Sequence, residues 1–447
     1  ESKLMVRFNR KKEIPPQGYR LLNKFCKEFE GEKGREDLYG WIPQTFKTER
    51  MYFPKEDVFP LSEISFEGFT FPAPKNVDKV LRIEYGDYEK PCKSGGSHGY
   101  PFFYTYERSL IKSAGGEENW HFRYSFNKED ILHEKKENIR DIVFSALRSL
   151  ISQEEEMLKQ AENYNFLRSA LAETQNMVLT IGNTIEQRLG ENTKTVPLLS
   201  RYCEILFQTY EKAEKEEGAE NELRALETIR QECIQVLEKE WKKTMVILLD
   251  KAKHFSSIEG FYKKILENDK WEVLLMPIPY LYRKGSGSFS EEVIDTEKFP
   301  KKYSYIDYKS YAFDAMMPDC IVMNSPYDSC NVVYSIDPFF YSENMKKFTK
   351  NLFYIPWFVT DEIEWGVEED GKAITMMDYY VCQPTLSHAD HSFVQSEQIR
   401  KTYIEKLTEF AGEETREIWE DKIIAAGSCL QGKDEELTKH ILSCLEK

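Results

Sequence analysis

His388 and His391 flank Ala389 and Asp390. Two imidazoles at i and i+3 on one helical face could share a metal ion, with Asp390 as a further donor. The same residues read equally as a helix end running into a strand at 391–395. Paired carboxylates are the next chemistry to seek, because two-metal group transfer needs cations ~3.5–4 Å apart. No aspartates of this chain are adjacent or separated by a single residue. The apolar run Met245–Leu249 leads into Asp250-Lys251-Ala252-Lys253-His254-Phe255 rather than a glycine fingerprint, which disfavours a dinucleotide cofactor. A G-x-x-x-x-G-K-[ST] loop is also missing. Polar residues that follow apolar runs remain. Tyr327 and Asp328 follow Cys320–Met323, and Thr360 and Asp361 follow Leu352–Val359. Loops at the carboxyl ends of parallel strands line the ligand crevice, so these four are candidate ligand contacts. Ordinary strand-exit turns are the alternative.

The elements that would position them follow from periodicity. Residues 244–430 alternate strand and helix, with strands at 245–249, 271–278, 320–323, 352–359, 391–395 and 423–426 and a helix at 258–266. Strands rich in β-branched residues between helices imply a parallel sheet covered on both faces, an α/β Rossmann-like domain. Upstream, Val143, Leu150, Met157, Tyr164, Leu171, Val178 and Ile185 form an apolar seam of period seven, which predicts one long helix. As a single rod, Ile131–Leu189 would extend about 85–90 Å, with Gly182 or Gly190 able to shorten it. The companion seam through Leu147, Glu154, Ala161 and Arg168 is half polar, which favours packing on neighbouring helices over a coiled coil. Further helices are expected at 198–217 and 220–241. Residues 1–113 are rich in Phe, Tyr, Pro and Gly and read as an α+β piece. It has strands at Phe59-Pro60-Leu61 and Phe69-Thr70-Phe71 and a helix at 79–85. The organisation is thus 1–113, a long helical spacer at 114–243, and the α/β region at 244–447.

Composition bounds the partners. The 447 residues carry a formal charge of -16, which argues against a nucleic-acid partner. Nine widely spaced cysteines without C-x-x-C fit a reducing compartment better than a disulfide framework. No apolar run reaches the ~18–20 residues of a membrane span. Glu1–Gly18 has no apolar stretch of the kind a signal peptide needs. The chain begins Glu1-Ser2-Lys3 without an initiator Met and is read as a fragment.

Phe59-Pro60-Leu61, Phe66-Glu67-Gly68, Pro72-Ala73-Pro74, Leu81, Tyr85-Gly86-Asp87-Tyr88, Pro91 and His98 together resemble the carboxy-terminal half of the LicD family, which includes the fukutin-type proteins. The resemblance implies a partial nucleotidyltransferase-like fold. It also implies a bacterial phosphotransferase that moves choline or glycerol phosphate from a CDP-activated donor to cell-surface polysaccharide or teichoic acid. Glu67, Tyr85, Asp87, Tyr88 and His98 would then shape the donor or acceptor pocket. For Tyr85–Tyr88 the alternative is a helix C-cap, with Gly86 at positive φ. A divalent metal, Mg or Mn, is expected for the full-length family enzyme, but no ligand set for one is evident here. The family's aspartate-rich motif lies amino-terminal to the matching segment. The catalytic residues are therefore expected upstream of residue 1, and this chain is expected to be inactive alone.

Pro277-Ile278-Pro279-Tyr280, Asn324-Ser325-Pro326-Tyr327-Asp328, Ser335-Ile336-Asp337-Pro338, Tyr354-Ile355-Pro356-Trp357 and Val394-Gln395-Ser396-Glu397 resemble the amino-terminal half of CDP-glycerol glycerophosphotransferase-like proteins of GT-B fold. The combined expectation is a cytoplasmic enzyme, or one peripheral at the inner face of the plasma membrane. The alternative is a non-catalytic helical and Rossmann-like scaffold or glycan-binding module.

Overall fold

The computed structural model describes residues 38–40, 52–66, 69–89, 124–283, 289–331 and 333–446. The chain divides into two compact units. One holds residues 1–94, 102–120 and 368–372, and the other 95–101, 121–367 and 373–447.

In the first unit, β1 (Leu38–Gly40) pairs antiparallel with β2 (Tyr52–Pro54), followed by the single turn α1 (Lys55–Val58). A hairpin of β3 (Ser62–Phe66) and β4 (Phe69–Ala73) precedes α2 (Val77–Tyr85). Asn76 caps α2, its side chain accepting from Lys79 N. Asp57 is buried beneath this turn and its carboxylate takes Lys79 Nζ at 3.2 Å. Phe69-Thr70-Phe71 is strand as expected, but Phe59-Pro60-Leu61 is not. Pro60 has no N–H for a ladder, and pairing starts only at Ser62.

The second unit begins with an irregular strap, 124–138, and then four helices: α3 (Ile139–Lys159), α4 (Tyr164–Leu189), α5 (Thr195–Glu214) and α6 (Glu220–Glu240). Short connections make successive helices antiparallel neighbours, and α6 closes the bundle against α3. The single rod expected over 131–189 is therefore two helices reversed at 160–163. Asn163 starts the second helix by accepting from Phe166 N at 3.2 Å. The apolar seam runs through the reversal because both helices face one core. Val143, Leu150 and Met157 share that core with Leu171, Val178 and Ile185. Gly182 sits inside α4, and Gly190, at φ +85, ends it. The half-polar seam has a partner within the bundle. Buried Glu154 accepts from Arg230 Nε at 2.9 Å and from Tyr202 OH at 2.8 Å.

The α/β region has a six-stranded parallel sheet. Its strands are β5 (Lys243–Leu249), β6 (Trp271–Pro277), β9 (Cys320–Met323), β11 (Leu352–Tyr354), β12 (His391–Val394) and β13 (Ile423–Ala425). A smaller antiparallel sheet, β7 (Tyr280–Arg283), β8 (Phe289–Val293) and β10 (Tyr334–Ile336), flanks it. The large sheet is ordered β13-β12-β11-β9-β5-β6. Counted along the chain, this is 2-1-3-4-5-6, the flavodoxin-type doubly wound order rather than the 3-2-1 start of the dinucleotide-binding Rossmann order. Alternate residues face opposite layers. Met245, Ile247 and Leu249 pack with α7 (Ser256–Ile265), while Val246 and Leu248 pack with Tyr334, Ile336 and Phe340. On the other half of the sheet, Tyr354, Val394 and Ile423 pack against a helix at Glu397–Ala411. The carboxy-terminal helix, Asp434–Leu445, completes the first layer through Leu437, Ile441 and Leu445.

Candidate functional site

The strand order reverses between β5 and β9, so the crevice of this sheet is expected outside their carboxyl ends. There β5 ends on Asp250 and β9 on Asn324 and Ser325, all buried. Asp250 Oδ1 accepts from its neighbour Lys251 N at 2.7 Å and meets His254 Nδ1 at 2.8 Å. Its Oδ2 takes the Tyr334 hydroxyl at 2.8 Å. An Nδ1–H held by a carboxylate leaves the imidazole lone pair on Nε2. Among the described residues, that Nε2 is buried without a hydrogen-bond partner, as are Trp357 Nε1 and Asn324 Oδ1. His254 stacks on the Trp357 indole at 4.2 Å, and Asn324 Nδ2 donates to Ser257 Oγ at 3.0 Å. An orphaned buried polar atom costs about 1–3 kcal/mol, so three at one strand-end cluster call for a functional account.

Lys251 adds a cation. It is 7% exposed, and its ammonium lies 3.3 Å from the Tyr334 ring centroid, with Tyr280 and Tyr282 also within cation–π reach. Among the described residues its ammonium has no hydrogen bond or ion pair. Burial pushes its pKa down to about 8. Burial also raises the Tyr327, Tyr334 and Tyr354 phenols, and the Asp250 charge adds to each shift. Chemically, the cluster offers a fixed proton or hydrogen-bond acceptor, an unpaired cation and an aromatic wall.

The residues expected from sequence are placed as follows. Tyr327 is half-buried within the electrostatic reach of Asp250. Asp328 turns inward at φ +46, in the left-handed region that Asp tolerates. Its carboxylate accepts from Ser342 N at 2.9 Å and Ser342 Oγ at 2.6 Å. Burial pushes Asp328 up to about 7. Thr360 exchanges backbone hydrogen bonds with the Gln395 side chain, 2.8 Å at its N and 2.7 Å at its O, while Asp361 is exposed. In the first unit, Tyr85 is the exposed last residue of α2. Gly86, at φ +70, caps that helix through its N–H to Arg82 O. Asp87 pairs with Arg82 at 3.4 Å, and the Tyr88 hydroxyl donates to Asp78 at 2.9 Å. Glu67 and His98 lie outside the described residues.

The His388–His391 metal pair does not form. His388 Nδ1 faces Ser342 Oγ at 2.6 Å, whereas the Asp390 carboxylate is held by His133 Nδ1 at 2.9 Å and Leu352 N at 2.7 Å. Among the described residues, no group of three or more His, Cys, Asp or Glu side chains could hold a metal ion. The divalent metal expected for the full-length enzyme thus has no such ligand set among the described residues. Asp250 and His254 escape a search for glycine fingerprints. Their signal is an acid and an imidazole four residues apart directly after the first buried strand.

A cavity of about 740 Å³ opens at the amino ends of the strands and is lined by Asn138, Arg140, Arg188, Glu240 and Asp319 among others. These five are already engaged. Asp319 accepts from Thr244 N at 2.8 Å and Asn138 Nδ2 at 3.1 Å. Arg140 Nε and Arg188 Nη2 donate to the carbonyls of Trp241 and Ala315, at 2.8 and 2.9 Å. Glu240 receives Lys194 N at 2.6 Å. It reads as a structural cleft between bundle and sheet.

Among the described residues, no helix is long and apolar enough to cross a membrane. No curated protein and no solved structure matches the chain. The comparisons therefore give no support to the CDP-glycerol glycerophosphotransferase-like resemblance of the α/β region. Residues 25–76 match the family model described as LicD/FKTN/FKRP, nucleotidyltransferase domain, overlapping the segment whose residues resemble that family.

Proposed function

We propose that this protein is a LicD-type transferase that moves a phosphoryl-linked alcohol, choline or glycerol phosphate, from a CDP-activated donor to a cell-surface glycan or polyol-phosphate acceptor. The observation that carries this reading is the family match at 25–76. In this reading residues 1–113 serve the donor side, 114–243 are a spacer, and 244–447 hold the acceptor, with the work done in the cytoplasm or at the inner membrane face. The test is incubation of the chain with radiolabelled CDP-choline or CDP-glycerol, teichoic-acid fragments and Mg or Mn. Donor binding by the chain, without label transfer by this chain alone, is the expected result. Failure both to bind and to consume either donor overturns the reading.

A second reading, a glycan-binding module without catalysis, is favoured by the missing aspartate pairs and by the lack of a metal-holding cluster among the described residues. Glycan binding without donor binding selects it.

A further inference from the structure

We propose that the crevice at the carboxyl ends of β5 and β9 is a binding site for a phosphorylated polyol, with a ligand hydroxyl donating to His254 Nε2 and the phosphate against Lys251. The inference rests on the acceptor half of the function proposed above and names the site that would hold it.

Three independent features converge there. First, the imidazole is fixed. Asp250 receives Nδ1, the indole of Trp357 lies flat on the ring at an interplanar angle of 13°, and the side chain is 3% exposed. In its neutral form a ring so held presents one acceptor, Nε2, and nothing in the described protein donates to it. The natural donors to a buried imidazole lone pair are hydroxyl groups, and a hydroxyl rotates to meet it.

Second, Lys251 is a nearly buried cation that lies against tyrosine faces; the Asp250 and Asp295 charges are near, but neither forms an ion pair with it, and the Asp295 oxygens are taken by Ala252 N, the Tyr280 hydroxyl and Lys298. Both Asp250 oxygens are already engaged, by Lys251 N and His254 on one side and the Tyr334 hydroxyl on the other. A buried cation without an anion is costly unless a ligand completes it. Phosphate fits, since a lysine ammonium binds it as a point charge. Third, Trp357 is half-buried beside these groups, and an aromatic face of this kind packs the C–H face of a polyol. A hydroxyl acceptor, an unpaired cation and an aromatic wall in one place select a ligand carrying both hydroxyls and a phosphate. A nucleoside base or an apolar ligand would leave His254 and Lys251 unanswered.

The test is calorimetric titration of the full chain with sn-glycerol 3-phosphate, and with glycerol and inorganic phosphate as its separate halves. Glycerol phosphate should bind at least about tenfold more tightly than either half, as an added hydrogen bond to a buried group implies. His254→Phe keeps the stack on Trp357 and removes the acceptor, and Lys251→Met keeps the stem and removes the charge. Each should weaken binding about tenfold or more. Asp269→Asn, in the exposed turn before β6 at the amino end of the sheet, should not change it. Unchanged affinity in folded His254→Phe and Lys251→Met, or no binding by the unmodified chain, overturns the assignment. A second measurement needs no variant: the ¹⁵N resonance of His254 Nε2 must move on addition of glycerol phosphate, and a stationary resonance also overturns it. Donor binding without glycerol-phosphate binding here would count against this site alone. Glycerol-phosphate binding here without donor binding would count against the transferase reading alone.

Discussion

The two ends of the six-stranded sheet differ in a way that cavity size does not report. The amino end opens into a cavity of about 740 Å³, yet its Arg140, Arg188, Glu240 and Asp319 already hold backbone or side-chain partners. At the carboxyl end, His254 Nε2, Trp357 Nε1 and Asn324 Oδ1 are buried without partners among the described residues, beside an ammonium with no ion pair there. Satisfied polar groups hold a structure together, whereas unsatisfied ones in a folded protein are a cost that a ligand can offset. Substitutions at partnered groups should therefore damage stability, and substitutions at the carboxyl-end cluster should damage binding.

The largest expected effect lies among the partnered groups. Arg230→Leu leaves Glu154 buried in the bundle core with only the Tyr202 hydroxyl. Unfolding in urea should show a loss of about 3–5 kcal/mol, with glycerol-phosphate affinity unchanged in the folded fraction. A loss of binding of the same size would mean the bundle and the crevice are not separable.

The next effect is pH-dependent and concerns Ser342, which bridges Asp328 and His388. Burial, aided by Lys346, lowers His388 from 6.5 to about 4. The folded protein thus binds fewer protons than the unfolded chain between those values, and stability rises with pH across them. Burial raises Asp328 from 3.8 to about 7, so its contribution is present at low pH and lost as pH rises toward 7. The slopes oppose, because folding in effect moves a proton from the imidazole to the carboxyl. Asp328→Asn removes one slope. Its stability should then climb by up to about 1.4 kcal/mol per pH unit between pH 4 and 6.5, relative to the parent chain. Parallel profiles from chemical denaturation at several pH values would contradict the pairing.

How far the sequence shows these features follows from what each depends on. All six strands of the main sheet are visible as short apolar runs, because burial on both faces leaves a continuous apolar signature. The reversal at 160–163 is not visible by periodicity, since two antiparallel helices facing one core keep the seam in phase. Asn163, a capping residue, is its only local mark. The crevice is half legible. Strand-exit reasoning reaches Tyr327, but it takes Asp328 as a ligand contact when its left-handed backbone turns the carboxylate inward to Ser342. Asp250 and His254 depend on β5 lying beside β9, and that adjacency is a property of strand order rather than of local sequence.

Smaller effects sharpen the contrast. Asp319→Ala at the amino end deprives Thr244 N and Asn138 Nδ2 of their acceptor and should cost about 1–3 kcal/mol in denaturation, without touching glycerol-phosphate affinity. Lys251→Met at the carboxyl end should leave the unliganded chain as stable or more stable, because it removes a nearly buried ammonium that has no ion pair. A Lys251→Met chain destabilised more than an Asp319→Ala chain would invert the comparison.

Hydrogen–deuterium exchange with and without sn-glycerol 3-phosphate reads both ends of the sheet in one experiment. The account predicts that the ligand slows exchange in peptides covering 250–257 and 324–327, after β5 and β9, and leaves 138–140, 240–244 and 316–319 unchanged. Protection confined to the amino-end segments would contradict it.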